Sequence, residues 1–442
     1  MANTIKHKRG SGSDPSASDL AVGELAIRTD TGVVFTKKDD GTVAEIAGGG
    51  LSDNSNDATS IGVGTNALDS ETSGEDNTAF GYDAGTAITS GEDNTAIGKN
   101  ALKTISTGDG CTAVGSGALS SQTGGSATAV GQNAGTTQSS GGHTTYLGWY
   151  SGFGSGTTSA SFNTYVGSMS GYSASTGAYN VGMGYQTLYS NTTGQYNVGL
   201  GHSTLRSNTT ASGNTAVGYV ALYSTTTGDA NTAVGYQCLE DCSTGANNTG
   251  LGYRVLEDLT TGGYNTCVGM YAGTEIQTGG GNTALGQSSL YVNISSHYNT
   301  SIGYNAHYAL TDRYNVALGA FAADELTTGE NTIVIGYNAQ ASSVSVDNEI
   351  TLGNDSITSF RIPGLQSGAS NGQVLTYNST DGDLELADVS ATVANGCIYE
   401  NSQTISSNYT ISTNKNAMSA GPITVNASVT VTIPSGSTYT IV

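Results

Sequence analysis

The only tryptophan of this chain, Trp149, stands in a short interval that also holds Tyr146, Tyr150, Phe153 and Phe162 in a Gly and Ser background. Aromatic rings on an extra loop can stack on the apolar faces of sugars, so Trp149, Tyr150 and Phe153 are candidates for a lateral binding site. The competing reading is a local bulge whose rings pack against a neighbouring protomer. A second group lies near the C-terminus, where Tyr399, Asn401, Tyr409, Asn426 and Tyr439 are spread among Ser and Thr. Rigid amphipathic rings combined with adaptable amides and hydroxyls suit weak, multivalent recognition of glycans or surface proteins. Tyrosine in a strand is equally ordinary packing.

Other chemistries find less support. His7, His143, His202, His297 and His307 are scattered along the chain, and His202 and His307 are expected as exposed side chains. Cleavage of a polysaccharide needs two carboxylates about 5 to 9.5 Å apart in a groove. The acids here gather instead in pairs such as Glu75-Asp76, Glu92-Asp93 and Glu257-Asp258, which read as solvated corner residues. Cys238 and Cys242 are spaced as C-x₃-C, with no His or second pair to complete a zinc site. Cys111, Cys238 and Cys267 replace Asn or Ala in a repeat, and reduced thiols suit assembly in a cytoplasm. Neither an enzyme nor a cofactor or metal is expected from these residues.

What must position the aromatics is a repeat. Eighteen glycines run from Gly64 to Gly353 at steps of 17 residues, interrupted by two steps of 16 and one of 19. A period this short implies one supersecondary unit stacked on its copies. The place before each Gly is always large and apolar, as in Val63, Phe80 and Ile97, and three places before it the residue is β-branched, as in Thr78, Thr95 and Val181. Side chains alternate along a strand, so these two columns share a face, which the exchange of Thr for Val suggests is packed. Asn stands four places before the Gly in twelve of the eighteen copies and can hydrogen-bond along a ladder or to turn backbone.

After the Gly, stretches such as Gly218-Tyr219-Val220-Ala221-Leu222 read as a second strand of the rung. Thr-Gly pairs such as Thr227-Gly228 and Thr278-Gly279 read as corners where Gly supplies positive φ. Proline is absent from Ser16 to Ile362, as a fully bonded ladder requires. The expected fold is all-β, an elongated parallel β-roll or solenoid of about eighteen rungs, roughly 80 Å long at about 4.8 Å per rung.

The motif Asn-Thr-Ala-Val-Gly-Tyr-x-Ala-Leu, present at Asn214 to Leu222 and nearly so at Asn231 to Leu239, resembles the head repeat of trimeric autotransporter adhesins. It is still closer to longer repeats of bacteriophage tail fibres, especially those of cyanobacterial and other aquatic hosts. The resemblance covers about Ala58 to Gly353 and implies a left-handed roll packed side by side as a homotrimer. Residues 1–50, with Ile5-Lys6-His7-Lys8-Arg9 and the stretch from Pro15 to Arg28, resemble the module by which many phage fibres attach to the virion. Residues 363–442 resemble distal fibre segments, with Gly372 to Tyr377 as a short connector.

The division that follows is an attachment module at 1–50, a shaft at 51–362, a connector at 363–395 and an all-β tip at 396–442. Tip strands are expected at Gln403 to Ile411, Ile423 to Ile433 and Thr438 to Val442. No apolar run follows Met1 as a secretory signal, and the C-terminal part lacks a heptad stalk and the long strands of an outer-membrane barrel. Membrane insertion is therefore not expected. Of the net charge of −22, the first 50 residues hold six of the thirteen Lys and Arg and seven acids, so the excess lies in the repeats and tip. Without a basic stripe, nucleic acid is not an expected partner. Tail, baseplate or adaptor protein at residues 1–50 and a host glycan or protein at the tip are. The alternatives are a cellular adhesin, a fibre-borne depolymerase and an ice-binding solenoid, the last disfavoured because the Thr column shares the face read as packed.

Overall fold

The computed structural model describes residues 59–154 and 159–359, together with residues 7–10, 16, 25–28, 34–37, 43–45, 361, 373–377, 384–388, 404–419 and 421–441. Every regular element among them is a strand. By its contacts the chain divides into Met1–Ser356 and Ile357–Val442.

In the first unit, β1 (His7–Gly10), β2 (Leu25–Arg28), β3 (Val34–Lys37) and β4 (Val43–Glu45) form a sheet in chain order, with β1 and β2 parallel and the rest antiparallel. The repeat forms a β-solenoid of eighteen parallel strands, from β5 (Ile61–Val63) to β22 (Ile350–Leu352). Each strand pairs with the next in chain order and in register, so that Thr215, Ala216 and Val217 lie beside Thr232, Ala233 and Val234. The ladder runs from the pairing of Ile61 with Thr78 to that of Ile333 with Ile350.

The repeat Gly ends each strand for a steric reason. From Gly64 to Gly336 its φ lies between +127 and +142, a region L-residues avoid, and a Cβ would run into the carbonyl group or backbone of the repeat Gly one rung on. The stretch that follows is not a second strand. Val220 and Leu222 are left-handed, with φ of 49 and 52, which breaks the β alternation. Its amides still bond from rung to rung: Val220 N–H donates to His202 O at 3.0 Å and Leu222 N–H to Cys238 O at 3.1 Å.

The corners also differ from expectation. Gly228, Gly262 and Gly279 do not have positive φ; the left-handed residue lies two places further on, at Ala230, Tyr264 and Gly281. The corner Gly is required by close approach instead, because a Cβ on Gly228 or Gly262 would meet the corner carbonyl of the next rung. That corner carbonyl is where the Asn column acts. Asn214 Nδ2 donates to Gly228 O at 2.9 Å, while its Oδ1 accepts the N–H of Asn231 at 2.8 Å. The same pattern links buried Asn residues from Asn163 to Asn315. Each side chain thus satisfies one buried donor and one buried acceptor that would otherwise each cost about 1–3 kcal/mol.

Of the six rungs without Asn, the three at Cys111, Ala127 and Thr144 have its amide replaced by glutamines from another column. Gln122 Nε2 donates to Gly124 O and Gly141 O at 2.8 and 3.0 Å, and Gln138 Nε2 to Ala160 O at 2.6 Å.

The core is a narrow strip inside the coil. From β5 to β21 the middle residue of the strand is buried, and Ala96, Ala113, Ala216 and Ala233 each face a leucine four places past the repeat Gly, namely Leu102, Leu119, Leu222 and Leu239. In two rungs the volumes are exchanged. Tyr146 and Tyr165 occupy the strand centre, fully buried and stacked at 5.9 Å between centroids. Gly152 and Gly171 stand opposite them, where any Cβ would strike the rings. The columns expected to form a packed face are therefore the outward ones: Phe80, Leu147, Leu200 and Leu285 are exposed, and Thr215 and Thr232 half-buried. A strand of three residues has one inward position, and it goes to the small central residue.

His307 is fully buried rather than exposed, because it takes the leucine position of its rung. Its Nδ1 shares a hydrogen bond of 2.8 Å with Ser301 Oγ, the strand-centre residue, and its Nε2 has no partner among the described residues. Burial pushes its pKa down to about 3.

The second unit contains an antiparallel pair, β23 (Gln373–Tyr377) and β24 (Leu384–Asp388), and a tip of six short strands. β25 (Thr404–Ile405), β26 (Tyr409–Thr410) and β27 (Asn416–Ser419) pair in parallel with β28 (Thr424–Val425), β29 (Val431–Thr432) and β30 (Thr438–Ile441), respectively. The three long strands read from sequence are thus two turns of a second coil, each turn carrying three short strands. Among the described residues of this unit Ile411 is the one buried apolar side chain.

Candidate functional site

The tip residues divide. Tyr409 on β26 and Asn426 after β28 are exposed, and their backbone N–H groups donate to Thr430 O and Ile405 O, each at 3.0 Å. Tyr439 on β30 is half-buried and its hydroxyl is hydrogen-bonded to Ser419 Oγ at 2.7 Å, tying the two turns together. Tyr399 and Asn401 lie outside the described residues.

The lateral aromatics divide as well. Tyr146 belongs to the core, and Phe162 to a corner. Trp149 is exposed and meets Tyr150 edge-on at 4.6 Å; Tyr150 tilts onto Phe153 at 4.9 Å, and Phe153 stacks on Tyr172 at 5.2 Å. These three side chains therefore form one surface cluster that heads a longer aromatic column.

Three such columns run along the coil, and they follow from spacing alone. Rungs about 4.8 Å apart place rings in one column at the separation aromatic pairs prefer, about 4.5–7 Å between centroids. Directly after the repeat Gly, Tyr185, His202, Tyr219, Tyr236 and Tyr253 succeed one another at 5.1–5.2 Å. His202 is exposed within this column, as expected. On another side Phe153, Tyr172 and Tyr189 are followed by Arg206, whose guanidinium lies 5.2 Å from the Tyr189 ring centre and 5.6 Å from that of Tyr223. At the left-handed corner His143, Phe162, Tyr179 and Tyr196 stack at 5.0–5.3 Å. Sequence reasoning missed these columns, although recurrences at one period, such as Tyr172 with Tyr189 and Tyr179 with Tyr196, carry the signal.

The acids behave according to their place. Glu75, Asp76, Glu92 and Asp93 are exposed at the corner. Glu257 and Asp258 are half-buried on another side, where burial pushes both carboxyls up; Glu257 pairs with Arg254 at 2.9 Å. Cys111, Cys238, Cys242 and Cys267 are buried free thiols, with those of Cys238 and Cys242 pushed up by burial to about 12. Cys397 lies outside the described residues. Among the described residues no group of three or more His, Cys, Asp and Glu side chains is gathered as metal ligands. No family model, curated protein or solved structure matches this chain.

Proposed function

We propose that the chain is a homotrimeric phage tail fibre in which residues 1–50 attach to a tail, baseplate or adaptor protein, the solenoid is a stiff spacer, and the C-terminal tip contacts a host surface glycan or protein. The reading places the protein in the virion, assembled in a host cytoplasm. The observation that carries it is the outward apolar column beside the repeat Gly, which presents a large apolar side chain on every rung from Val63 to Leu352. A contiguous exposed apolar stripe is the kind of surface that marks an interaction site, and parallel copies of the same chain are matched to it rung for rung.

Light scattering is expected to give a molar mass near three times the 44.5 kDa chain. Glutamates at Leu200, Val234 and Val268, on alternate rungs and facing outward, are expected to give a monomer with an unchanged far-UV spectrum. A trimer persisting in that variant would remove the stripe from the interface. For the host contact, a trimeric protein carrying Tyr409→Ala and Asn426→Ala is expected to lose most of its ability to compete with phage adsorption, and full competition by it would place recognition elsewhere.

The outward Thr column favours one second reading. Six consecutive rungs from Thr215 to Thr300 present Thr on the outer face, so the argument from packing against ice binding falls away. Thermal hysteresis together with a monomeric mass would favour that reading over the fibre.

A further inference from the structure

We infer that the corner around Tyr264 is a binding site for neutral glycans on the flank of the solenoid, separate from the tip. Three observations meet there. The first is exposure along the corner column. Phe162 and Tyr179, stacked on both faces, are 49% and 47% exposed, whereas Tyr196 at the end of the stack is 60% and Tyr264 is 74% exposed. Tyr264 makes no ring contact among the described residues, so neither of its faces is covered by another aromatic ring. A ring inside a stack offers a ligand only its edge; Tyr264 offers the face that a pyranose needs for C–H contact with an aromatic surface.

The second observation is the place in the column. Tyr264 stands between Asn247 and Gly281, one rung to either side, so neither neighbouring rung brings a ring to it. Its left-handed φ of 61 is shared by Ala230 and Asn247, with φ of 56 and 60, and is set by the corner. Tyr298, two rungs on, leans over Gly281, where a Cβ would lie 2.7 Å from its Cδ1.

The third is the chemistry of the surroundings. Asn247, exposed in the same column one rung before Tyr264, supplies an amide donor and acceptor for sugar hydroxyls. The corner segments at 228–230, 245–247, 262–264 and 279–281 contain Asp229 as their single charge and no Lys or Arg. With a chain charge of −22, an acidic sugar would meet repulsion and no cation, so the ligand class is a neutral hexopyranosyl oligosaccharide.

The intact protein tested on a printed array of neutral and acidic oligosaccharides is expected to retain neutral glycans. Tyr264→Ala should weaken that retention at least tenfold and Asn247→Ala severalfold, while Tyr264→Trp, which keeps a ring face, should preserve it. Tyr179→Ala, in the same column but with both ring faces covered by stacking, should leave this binding unchanged. Retention of acidic glycans alone, absence of any retention, or equal retention by Tyr264→Ala would each overturn the assignment. Because Tyr264 is exposed, unchanged hydrogen exchange in Tyr264→Ala will separate lost binding from lost folding.

Discussion

Replacing Gly235 with alanine is expected to open the solenoid locally, at a cost above about 4 kcal/mol, in the range reserved for severe backbone conflict. Two independent effects add. The residue has φ of 142, and its Cβ would be driven into the carbonyl group of Gly252, which is backbone held in the ladder and has no rotamer by which to retreat. Nearest-neighbour coupling in a stacked repeat confines the damage to adjoining rungs. Amide exchange and proteolytic cleavage should therefore rise between residues 218 and 252, while rungs beyond Gly286 keep their protection. Gly213→Ala is the control. Gly213 is also left-handed, with φ of 70, but the nearest atoms to its Cβ are 3.9 Å away, so only about 1 kcal/mol of backbone strain is expected. Equal effects from the two substitutions would mean that neither the φ of 142 nor the approach of the Gly252 carbonyl costs more than ordinary left-handed strain.

That contrast shows what could be read from the residues and what could not. The period, the strand before each Gly and the Asn ladder follow from eighteen internal copies, because a column that is always Gly, or Asn in twelve copies of eighteen, reports a constraint repeated from rung to rung. The inward face did not follow. Alternation tells that Thr215 and Val217 share a face and that Ala216 lies on the other, yet it does not say which face is inside. Large apolar residues suggest the interior, but in a coil this narrow the two inward places share a small volume, as in an alanine opposite a leucine or a tyrosine opposite a glycine. The larger side chains are consequently outside.

Exchanges across columns were equally hidden. Gln122 and Gln138 replace an Asn amide from positions with no obvious relation to it, and the compensation is visible only once the carbonyls of Gly124, Gly141 and Ala160 are located. Among the described residues the tip's second coil shows two turns, with Thr404 beside Thr424 but Tyr409 beside Val431. Two copies at unequal offsets do not make a legible period. Of the candidate site residues, Trp149, Tyr150 and Phe153 do share one surface cluster, but the most exposed ring among the described residues, Tyr264, lies outside every interval where aromatics are dense.

The paired substitution Ser301→Ala with His307→Leu is expected to stabilise its rung by about 1–3 kcal/mol at pH 7.5, the cost of a buried donor or acceptor left without a partner. It recreates the Ala and Leu pairing of rungs such as Ala216 with Leu222, and it removes the unpartnered Nε2 of His307. The gain should grow in acid. Burial holds the folded pKa of His307 at about 3, whereas the unfolded side chain titrates near 6.5. Between those values the unfolded chain binds a proton that the folded one refuses. The native stability associated with neutral His307 is therefore complete above about pH 6.5 and declines as pH falls towards 3, at about 1.4 kcal/mol per pH unit. From pH 6.5 to 4.5 the native rung should lose about 2.5 kcal/mol relative to the paired variant. Carboxylates elsewhere titrate alike in both proteins and cancel from the difference. Exchange of the His307 amide, which donates to Ala322 O at 3.0 Å, reads this rung directly; the corresponding amide serves in the variant. Parallel pH profiles for the two proteins would mean that His307 is charged in the folded rung or reached by water, and that its burial is not the source of acid sensitivity.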